Sequence, residues 1–298
     1  MTISRQNISV IIVTYKSEEV IDDCLKSIPS DINILIIDNS GDHIFKQNIE
    51  KKHNNVLCTV LSENLGMGAG NNVGLKQVKT DYALILNPDV VLEKKTIDEL
   101  VAAIGQLDEF SIIAPICDNE NYPNYKKFFN DKTDYKNEKP FKVQSIDGFA
   151  MLLNLKKINQ LKGFEDGFYF DENIFLYLEN DDLCKRLINI KENIYIIPKS
   201  KIHHKGASAV SKKYSHQIEL CRNWHWIWSK FYFNKKYQGY LTALLNGLPT
   251  FLSSSLKFLF YLIILKKKKR EIYLFRALGY LNAALGKKSY LRPNIDIQ

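Results

Sequence analysis

The most constraining feature of this sequence is an uninterrupted apolar segment that ends in a proline and a carboxylate, Tyr82-Ala83-Leu84-Ile85-Leu86-Asn87-Pro88-Asp89. Such a segment is typical of a strand buried on both faces, as in a parallel sheet between two layers of helices. Pro88 cannot donate to a sheet ladder, so we expect the strand to end there, with Asp89 at its carboxyl end. Ligands of open α/β sheets bind at that end, where one carboxylate can hold a divalent cation and, through it, phosphate oxygens.

Short β-rich segments alternate with amphipathic helical segments through the first half of the chain. The alternation predicts βαβ units, right-handed crossovers and a mostly parallel central sheet. The predicted strands are Ile8–Thr14, Ile32–Asp38, Val56–Leu61, Asp81–Leu86, Ser111–Pro115, Ser145–Leu155 and Asn193–Ile197. The predicted helices are Ser17–Ile28, Ile44–His53, Ala69–Lys79, Lys94–Leu107 and Phe175–Leu187. Between Cys117 and Val143 the pattern gives way to Asn, Tyr, Lys and Asp, which predicts a long functional loop.

Charge and composition divide the chain near residue 215. Of the 298 residues, 45% are hydrophobic, which is enough for one large core and an appendage. Residues 1–200 carry a net charge of −7, whereas residues 201–298 carry +15, with 18 Lys and Arg against Glu219, Glu271 and Asp296. We therefore predict an α/β domain over 1–215 and a helical, basic region over 216–298. The partner of that region is a polyanionic surface, either membrane or nucleic acid.

Cysteine usage and the N-terminus favour the cytoplasm. The five cysteines are scattered and show no C-x-x-C spacing, which argues against a disulfide framework and a structural zinc. The first residues, Met1–Asn7, have no apolar segment typical of a signal peptide. We expect a protein of the reducing cytosol.

The ends of the first three predicted strands carry polar residues that suit a nucleotide. The loop after Val13-Thr14-Tyr15 lacks G-x-G-x-x-G, which disfavours a dinucleotide-dependent dehydrogenase. Asp38 ends the second strand, where its carboxylate can accept a hydrogen bond from a pyrimidine ring N–H, or where Asp38 or Asn39 forms an Asx turn. The glycines of Asn64–Gly74 allow the backbone to approach a ligand closely, and a flexible loop capped by Asn71 is the alternative.

A second acidic cluster, Glu179-Asn180-Asp181-Asp182, lies among apolar residues. Carboxylates in such surroundings are unfavourable unless something uses or compensates them. In a helix, the first and fourth residues of the cluster share one face. Alternatively, Asn180 caps a helix whose dipole the two aspartates complement. Further along, the pair His203-His204 can complete a metal or diphosphate site, although a histidine pair without metal-ligand spacing is more often plain surface.

Taken together, these segments resemble the inverting family 2 glycosyltransferases, which have the GT-A fold. The resemblance covers about Ile8 to Ser208, two-thirds of the chain, and is strongest to the rhamnosyltransferase-like enzymes of bacterial O-antigen and capsule synthesis. The segments that carry it are, in order, Val10–Tyr15, Ile37–Ser40, Asn64–Gly74, Leu86–Asp89, Gly148–Leu153, Phe170–Glu172 with the acidic cluster, and His204–Ser208.

The resemblance implies transfer of a sugar, with rhamnose favoured, from a dTDP- or UDP-sugar to a hydroxyl of a lipid-linked glycan, using Mg²⁺ or Mn²⁺. Asp89 would be the metal ligand that survives from the family's Asp-x-Asp signature, with Asn87 in the first acidic position. His204 would be a further ligand or a diphosphate contact. Asp147 and Gly148 would contact the acceptor. The implied donor-binding residues are Thr14, Tyr15, Asp38, Asn64, Gly66, Asn87 and Asp89.

The sequence departs from the family pattern at the acidic cluster. The family usually presents two successive acids there, and the second is commonly the base. Here Asn180 holds the second position, and an amide cannot accept a proton at neutral pH. The candidates for the base are therefore Glu179, Asp181 and Asp182, and Arg186 is expected to pair with the cluster.

Two other functions stay open. The asparagine at position 180 fits a nucleotide-sugar-binding or weakly active subunit of a polysaccharide assembly complex. A sugar-1-phosphate nucleotidyltransferase shares the α/β frame, but it normally has a Gly-rich basic loop where this chain has Val13–Ser17.

The basic region predicts a membrane surface as partner. Leu241–Leu265 is apolar but interrupted by Asn246, Pro249, serines and Lys257, which disfavours a membrane-spanning helix. Leu256–Leu265 followed by Lys266–Arg270 predicts an interfacial helix on anionic lipid, with Trp224, Trp226, Trp228 and Tyr232 as interfacial rings. The alternative is packing against the catalytic domain or a second subunit, as in a homodimer. No nucleic-acid-binding module is recognisable, so we expect a peripheral protein on the inner face of the plasma membrane.

Overall fold

The computed structural model describes residues 3–118, 123–129, 138–164, 167–206 and 209–293. Part of the predicted Cys117–Val143 loop, together with Ala207 and Ser208, lies outside these residues. The chain divides into two compact units. The first unit consists of Met1–Asp171 and Asn180–Ser211, and the second of Glu172–Glu179 and Lys212–Gln298.

The first unit is built on a mostly parallel sheet, as predicted. The strands found in the described residues are β1 (Ile8–Thr14), β2 (Asn33–Asp38), β3 (Val56–Val60), β4 (Tyr82–Leu86), β5 (Val90–Leu92), β6 (Ile112–Cys117), β7 (Tyr125–Lys126), β8 (Phe141–Lys142), β9 (Ser145–Ile146), β10 (Ala150–Asn154) and β11 (Ile194–His204). The main sheet has the order β3-β2-β1-β4-β10-β6-β11-β5, and β8 also pairs with β11. Strands β5, β8 and β10 run antiparallel to their neighbours, and β7 pairs with β9 in a separate small sheet.

Helices cover both faces of the sheet. They are α1 (Ile21–Ser27), α2 (His43–Lys52), α3 (Met67–Gln77), α4 (Thr96–Gln106), α5 (Leu155–Ile158) and α6 (Glu179–Asn189). In β1 every residue is buried, with Val10 and Ile12 in one core and Ile11 and Val13 in the other. The first core contains residues of α1, α2 and α4, and the second contains residues of α3, α5 and α6. Continuous apolar strands are therefore explained by burial on both sides.

The glycines of the Asn64–Gly74 segment serve packing as well as the loop. A Cβ at Gly74 would lie 2.6 Å from Ile11 Cγ2, and one at Gly70 would lie 3.0 Å from Val13 Cγ1. Helix α3 can therefore approach β1 closely only because both positions lack a side chain. Gly66, which precedes α3, has φ +89°, a conformation that glycine adopts without strain.

Three predicted elements differ from the structure. The helix predicted over Phe175–Leu187 begins only at Glu179, because Tyr177 and Leu178 have φ values of +69° and +68°, which are not helical. The strand predicted over Ser145–Leu155 is β9 and β10, separated by a turn. The strand predicted over Asn193–Ile197 continues to His204, because its second half pairs with β5, a strand that the sequence analysis did not predict.

The second unit contains three long helices, α7 (Ser215–Gln238), α8 (Tyr240–Ile263) and α9 (Lys267–Ala284), which confirms a helical C-terminal region. Their core includes Trp224, Trp228 and Tyr280. The prediction of Trp224 and Trp228 as interfacial rings was therefore wrong, since the helix core buries both. Trp226 is 43% exposed. Among the described residues, no helix has the length and hydropathy needed to cross a membrane.

Candidate active site

The carboxyl ends of β1 and β2 bring the first candidate residues together. Thr14 pairs with Asp38 in the parallel register, and the Thr14 hydroxyl donates to Asp38 Oδ1 at 3.0 Å. The other carboxylate oxygen, Oδ2, accepts from the Ser40 backbone N–H at 3.0 Å, the Ser40 hydroxyl at 2.7 Å and the Asp42 N–H at 3.2 Å. Asp38 thus forms the Asx turn that the sequence left as an alternative. Tyr15 directly follows β1, and its N–H donates to Ser17 Oγ at 3.2 Å.

Asn39 positions the neighbouring loop, a role that the sequence analysis missed. Its amide donates to the Gly66 carbonyl at 3.1 Å and accepts from the Leu65 N–H at 3.1 Å. Asn64 Oδ1 accepts from the Gly66 N–H at 3.0 Å. The Asn64–Gly66 turn is therefore held against the end of β2, which puts two predicted donor residues beside Thr14 and Asp38. A buried, strand-end asparagine next to Asp38 was the only sequence signal for this contact.

Pairing of β5 with β11 brings Asp89 and His204 together. His204 pairs with Val90, and its Nε2 lies 3.5 Å from Asp89 Oδ1. The His204 ring stacks on Phe149, with centroids 4.0 Å apart. Asp89 is only 2% exposed. These two residues are far apart in sequence, and the histidine was expected in a loop after the strand, whereas it is the last residue of β11.

Asn87 completes this group. Its backbone N–H donates to the Phe149 carbonyl at 2.9 Å. Its side-chain oxygen is buried and accepts no hydrogen bond from any described residue. Buried amide oxygens usually have a hydrogen-bond partner, so this oxygen is available to a water, a ligand or an ion.

The donor atoms at this place fit Mg²⁺ or Mn²⁺. The Asp89 carboxylate and the Asn87 amide oxygen are hard oxygen ligands, and Mn²⁺ also accepts an imidazole such as that of His204. Within the described parts of the chain, no cluster of three or more His, Cys, Asp or Glu suits a metal. The arrangement therefore fits an ion that takes its other ligands from phosphate and water, rather than one enclosed by protein.

The start of α6 holds the acidic cluster, whose members differ in surroundings. Asn180 lies inside the helix, so the N-cap interpretation was wrong, and its amide donates to the Ile146 carbonyl at 2.7 Å. Asp181 accepts from Lys126 Nζ at 2.7 Å. Asp182 has no exposed surface and pairs with Arg186 at 2.9 Å.

Asp182 was predicted as a candidate base, but its buried carboxylate is already paired with Arg186, so it is a weaker candidate than its neighbours. The Arg186 guanidinium also donates to the Tyr169 carbonyl and lies over the Phe164 ring. The expected pairing of Arg186 with the cluster is confirmed. Glu179 is the first residue of α6.

Asp147 and Gly148 lie in the turn between β9 and β10. Burial raises the pKa of Asp147, and the charge of Asp181 raises it further, while Lys126 and His204 act in the opposite direction. A Cβ at Gly148 would lie 3.2 Å from Asn180 Cβ. Because the next residue, Phe149, stacks on His204, this one turn joins the start of α6 to the Asp89–His204 pair.

Comparison with known proteins shows the family to which this chain belongs. The family model described as Glycosyl transferase family 2 matches residues 9–162, more than half of the chain. The chain belongs to this family. It is 29% identical over 212 residues to the low-salt glycan biosynthesis hexosyltransferase Agl10 of Haloferax volcanii, covering 64% of each chain. It is 24% identical over 241 residues to the rhamnosyltransferase WbbL of Escherichia coli K12, covering 69% of this chain and 87% of the relative.

Solved structures share the fold of this family 2 chain. The mannosyltransferase PcManGT of Pyrobaculum calidifontis, in complex with GDP-Man and Mn²⁺, has a TM-score of 0.55 at 12% identity, covering 95% of this chain and 88% of that one. TarS 1–349 of S. aureus, in complex with UDP, has a TM-score of 0.52 at 16% identity, covering 97% and 94%. At these identities the likeness shows the fold alone, which is the predicted α/β GT-A fold.

Proposed function

We propose that this protein is an inverting glycosyltransferase that moves a sugar from a nucleotide sugar to an acceptor hydroxyl with the help of a divalent cation. The observation that carries the proposal is the approach of His204 Nε2 to Asp89 Oδ1, 3.5 Å apart at the carboxyl ends of the strands, two residues after Asn87 with its buried side-chain oxygen. Thr14 and Asp38 lie at the same edge of the sheet, because β1 pairs with both β2 and β4. That edge is where α/β folds bind nucleotides.

The donor we propose is a dTDP- or UDP-sugar. Support comes from family membership and from neighbours crystallised with UDP or with GDP-Man and Mn²⁺. Rhamnose is the sugar we favour, because one relative is a rhamnosyltransferase. In this proposal Thr14, Tyr15, Asp38 and the Asn64–Gly66 turn hold the nucleoside.

Mg²⁺ or Mn²⁺ would be held by Asp89 and Asn87, with His204 as a further ligand. When bound, such an ion neutralises charge on a nucleoside diphosphate. The protein itself positions two of these residues, since Phe149 orients the His204 imidazole by stacking and accepts a hydrogen bond from the Asn87 backbone N–H.

Asp147 is the base we favour. It takes the proton of the acceptor hydroxyl while the hydroxyl oxygen bonds to the anomeric carbon and the nucleoside diphosphate leaves with the electrons of its C–O bond. Asp147 lies in the same β9–β10 turn as Phe149, whose ring stacks on His204 beside Asp89. A base with a raised pKa accepts a proton more readily, and burial raises the pKa of Asp147. Asp181 is a weaker candidate because Lys126 holds its carboxylate, and Glu179 remains the third candidate.

The acceptor we propose is a hydroxyl of a lipid-linked glycan in O-antigen or capsule synthesis, at the inner face of the plasma membrane. Of the two relatives described above, one is a hexosyltransferase of glycan biosynthesis and the other is a rhamnosyltransferase, which supports this class of acceptor. A second candidate function is a nucleotide-sugar-binding subunit with little transferase activity. Asn180 favours it, because that residue replaces an acid and its amide is committed to the Ile146 carbonyl.

Thermal unfolding with a panel of UDP-, dTDP- and GDP-sugars, each with Mn²⁺, Mg²⁺ or chelator, tests donor and metal together. We expect one donor class to raise the unfolding temperature only when metal is present. Nucleotide release that requires both donor and an added saccharide acceptor then separates the transferase from the binding subunit. A donor-induced shift that is identical in chelator contradicts the metal site.

A further inference from the structure

Helix α8 exposes one continuous aliphatic face. Its members recur at helical spacing, and their exposed fractions range from 40% to 78%. They are Leu241, Leu245, Leu248, Leu252, Leu256, Leu259 and Ile263. At 1.5 Å per residue, this aliphatic face is about 33 Å long. The other side of α8 is apolar too, and its Ala243 and Phe251 belong to the core around Tyr280. A helix that is apolar on opposite sides is normally covered on both.

The charges near the aliphatic face are positive. Helix α8 contains no acidic residue, and two residues separate its end from the five cations Lys266–Arg270. Residues 212–298 hold 16 Lys and Arg against three acids. A second copy of the chain would bring the same excess of positive charge, whereas an anionic lipid surface complements it.

A basic cavity of about 320 Å³ lies beside this face. It is lined by Pro249, Thr250, Ser253, Ser254, Lys257, Tyr273 and Arg276, from α8 and α9. None of these residues is acidic. Within α8, Pro249 lies three residues before Leu252 and Ser253 lies three residues before Leu256, so the cavity borders the aliphatic face.

The cavity offers two cations and several hydroxyl groups but no carboxylate. Arg276 Nε is buried and finds no acceptor among the described residues, while Nη1 donates to Asn223 Oδ1 at 3.3 Å. Lys257 Nζ lies 5.2 Å from the centroid of the Tyr273 ring. Neither cation has a carboxylate within salt-bridge distance in the described chain. Two cations with adjacent hydroxyl donors are the groups that bind a phosphate.

We propose that α8 lies on an anionic membrane along its aliphatic face, and that the α8–α9 cavity holds the phosphate of a lipid headgroup. This surface deepens the membrane location proposed above and does not depend on sugar transfer. It also relocates the predicted interfacial segment, because the exposed face extends over the whole of α8 instead of Leu256–Leu265 alone. A helix of this kind rests on a bilayer, its aliphatic side chains at the acyl boundary and its cations at the headgroups.

Vesicle flotation of the full chain, without donor, tests the aliphatic face. We expect binding to vesicles that contain phosphatidylglycerol and much weaker binding to pure phosphatidylcholine. The triple variant Leu245→Ser, Leu252→Ser, Leu256→Ser should reduce the partition coefficient about tenfold or more, because three exposed aliphatic groups no longer enter the lipid. The matched control is Ile44→Ser, Leu57→Ser, Ile190→Ser, which removes three exposed aliphatic groups from the first unit and should bind like the original protein.

Two results would overturn this part of the proposal. Failure of the wild-type chain to float with anionic vesicles does so, and so does a triple variant that binds as tightly as wild type. A wild-type dimer in sedimentation that the triple variant abolishes, without vesicle binding, would assign the face to a second copy.

A pair of double variants tests the cavity. Lys257→Gln with Arg276→Gln removes two cations from the cavity, and Lys287→Gln with Lys288→Gln removes two exposed cations elsewhere in the second unit. Removing one lysine from a surface that is attracted to anionic lipid weakens vesicle binding about fivefold. Vesicle binding by the cavity double variant should fall about tenfold more than binding by the control double variant, because hydrogen bonds to the phosphate are lost as well.

Equal losses in the two pairs overturn the cavity site. Thermal unfolding verifies that both variants fold, and if Arg276→Gln does not, Lys257→Gln and Lys287→Gln are compared alone. Inorganic phosphate, compared with chloride at the same ionic strength, separates the two sources of the anion. A higher unfolding temperature in phosphate than in chloride without vesicles, together with equal vesicle binding by the two double variants, would assign the cavity to free phosphate.

Discussion

The two units contain opposite exceptions to the rule that apolar side chains are buried and polar side chains are exposed. In the first unit, polar side chains such as Asp38, Asn39 and Asp89 are buried, whereas in the second unit the leucines of α8 are exposed. Buried polar groups and large exposed apolar faces are the two features that most often mark a binding site. The polar groups are mostly held by hydrogen bonds within the protein, so the first site is organised before any ligand arrives. The α8 face has no such compensation in the described chain, which is why we propose that a membrane covers it.

Asp89→Ala should have the largest effect of any single substitution. Asn87, Asp89 and His204 together offer one carboxylate, and its loss should reduce transfer about a thousandfold or more, which corresponds to about 4 kcal/mol in the barrier. The metal-dependent part of the donor-induced thermal shift should disappear as well. The control is Asp108→Ala, an exposed acid that should leave both measurements unchanged. A full metal-dependent shift in Asp89→Ala would remove that residue from the site.

Asp147→Asn should reduce kcat/KM about a hundredfold to ten-thousandfold, as removal of a general base does. The wild-type rate should fall as the pH drops through the raised pKa of Asp147, because the base must be deprotonated. Asp181→Asn removes the neighbouring negative charge, so the pKa of Asp147 decreases and the acidic limb of the pH–rate profile moves to lower pH. Full activity of Asp147→Asn combined with an inactive Glu179→Gln would transfer the role to Glu179.

Low pH should destabilise the second unit, because unfolding allows His225 to become protonated. Burial lowers the pKa of His225 from 6.5 to about 4, with Arg292 acting in the same direction and the contact to the Leu291 carbonyl opposing it. The unfolded chain therefore binds the proton first, so the stabilising contribution is complete above pH 6.5 and is lost as the pH falls towards about 4. The change is about 3 kcal/mol at most.

Tryptophan fluorescence isolates this unit, because Trp224, Trp226 and Trp228 are the only tryptophans and all lie in α7. His225→Gln should unfold with a flatter pH dependence over the same range. An equally steep dependence in that variant would show that other groups are responsible.

Asn180→Asp restores the acid that the family usually has, and we expect it to destabilise this chain. The amide now donates to the Ile146 carbonyl, whereas a carboxylate would face that oxygen without a donor. The expected loss is about 1–3 kcal/mol in the free energy of unfolding. Asn48→Asp, at an exposed position of α2, is the control. A stable and more active Asn180→Asp would show that the position still accepts a base.

Two glycine substitutions give the smallest effects, with opposite signs. Gly74→Ala places a methyl group 2.6 Å from Ile11 Cγ2 and should destabilise the first unit by about 1–3 kcal/mol, because α3 must move from β1. Gly105→Ala in α4 meets nothing within 4 Å and should stabilise by about 0.5–1 kcal/mol. Denaturant titration measures both. Equal changes in the free energy of unfolding for the two variants would contradict the close packing of α3 on the sheet.

The sequence predicted the first strands well because burial on both faces leaves an unmistakable apolar pattern. Strands β1 and β4 end where predicted, at Thr14 and Leu86. The sequence-based prediction was wrong at Tyr177 and Leu178, where the pattern is helical but the backbone has positive φ. It also missed β5, which is three residues long. Short antiparallel pairing with a distant strand has no local signature.

What the sequence determined by itself is the layered α/β fold, the position of Asp89 after a buried strand, and the division into an acidic and a basic region. These depend on local periodicity and on charge, which can be read without knowing which residues meet. The family resemblance implied a place for His204 near Asp89, but only the tertiary structure showed their contact, committed Asn180 and Asp182 to internal partners, and decided which side of α8 remains exposed. Each of these depends on contacts between distant parts of the chain, and side chains of the same type have different roles according to what packs against them.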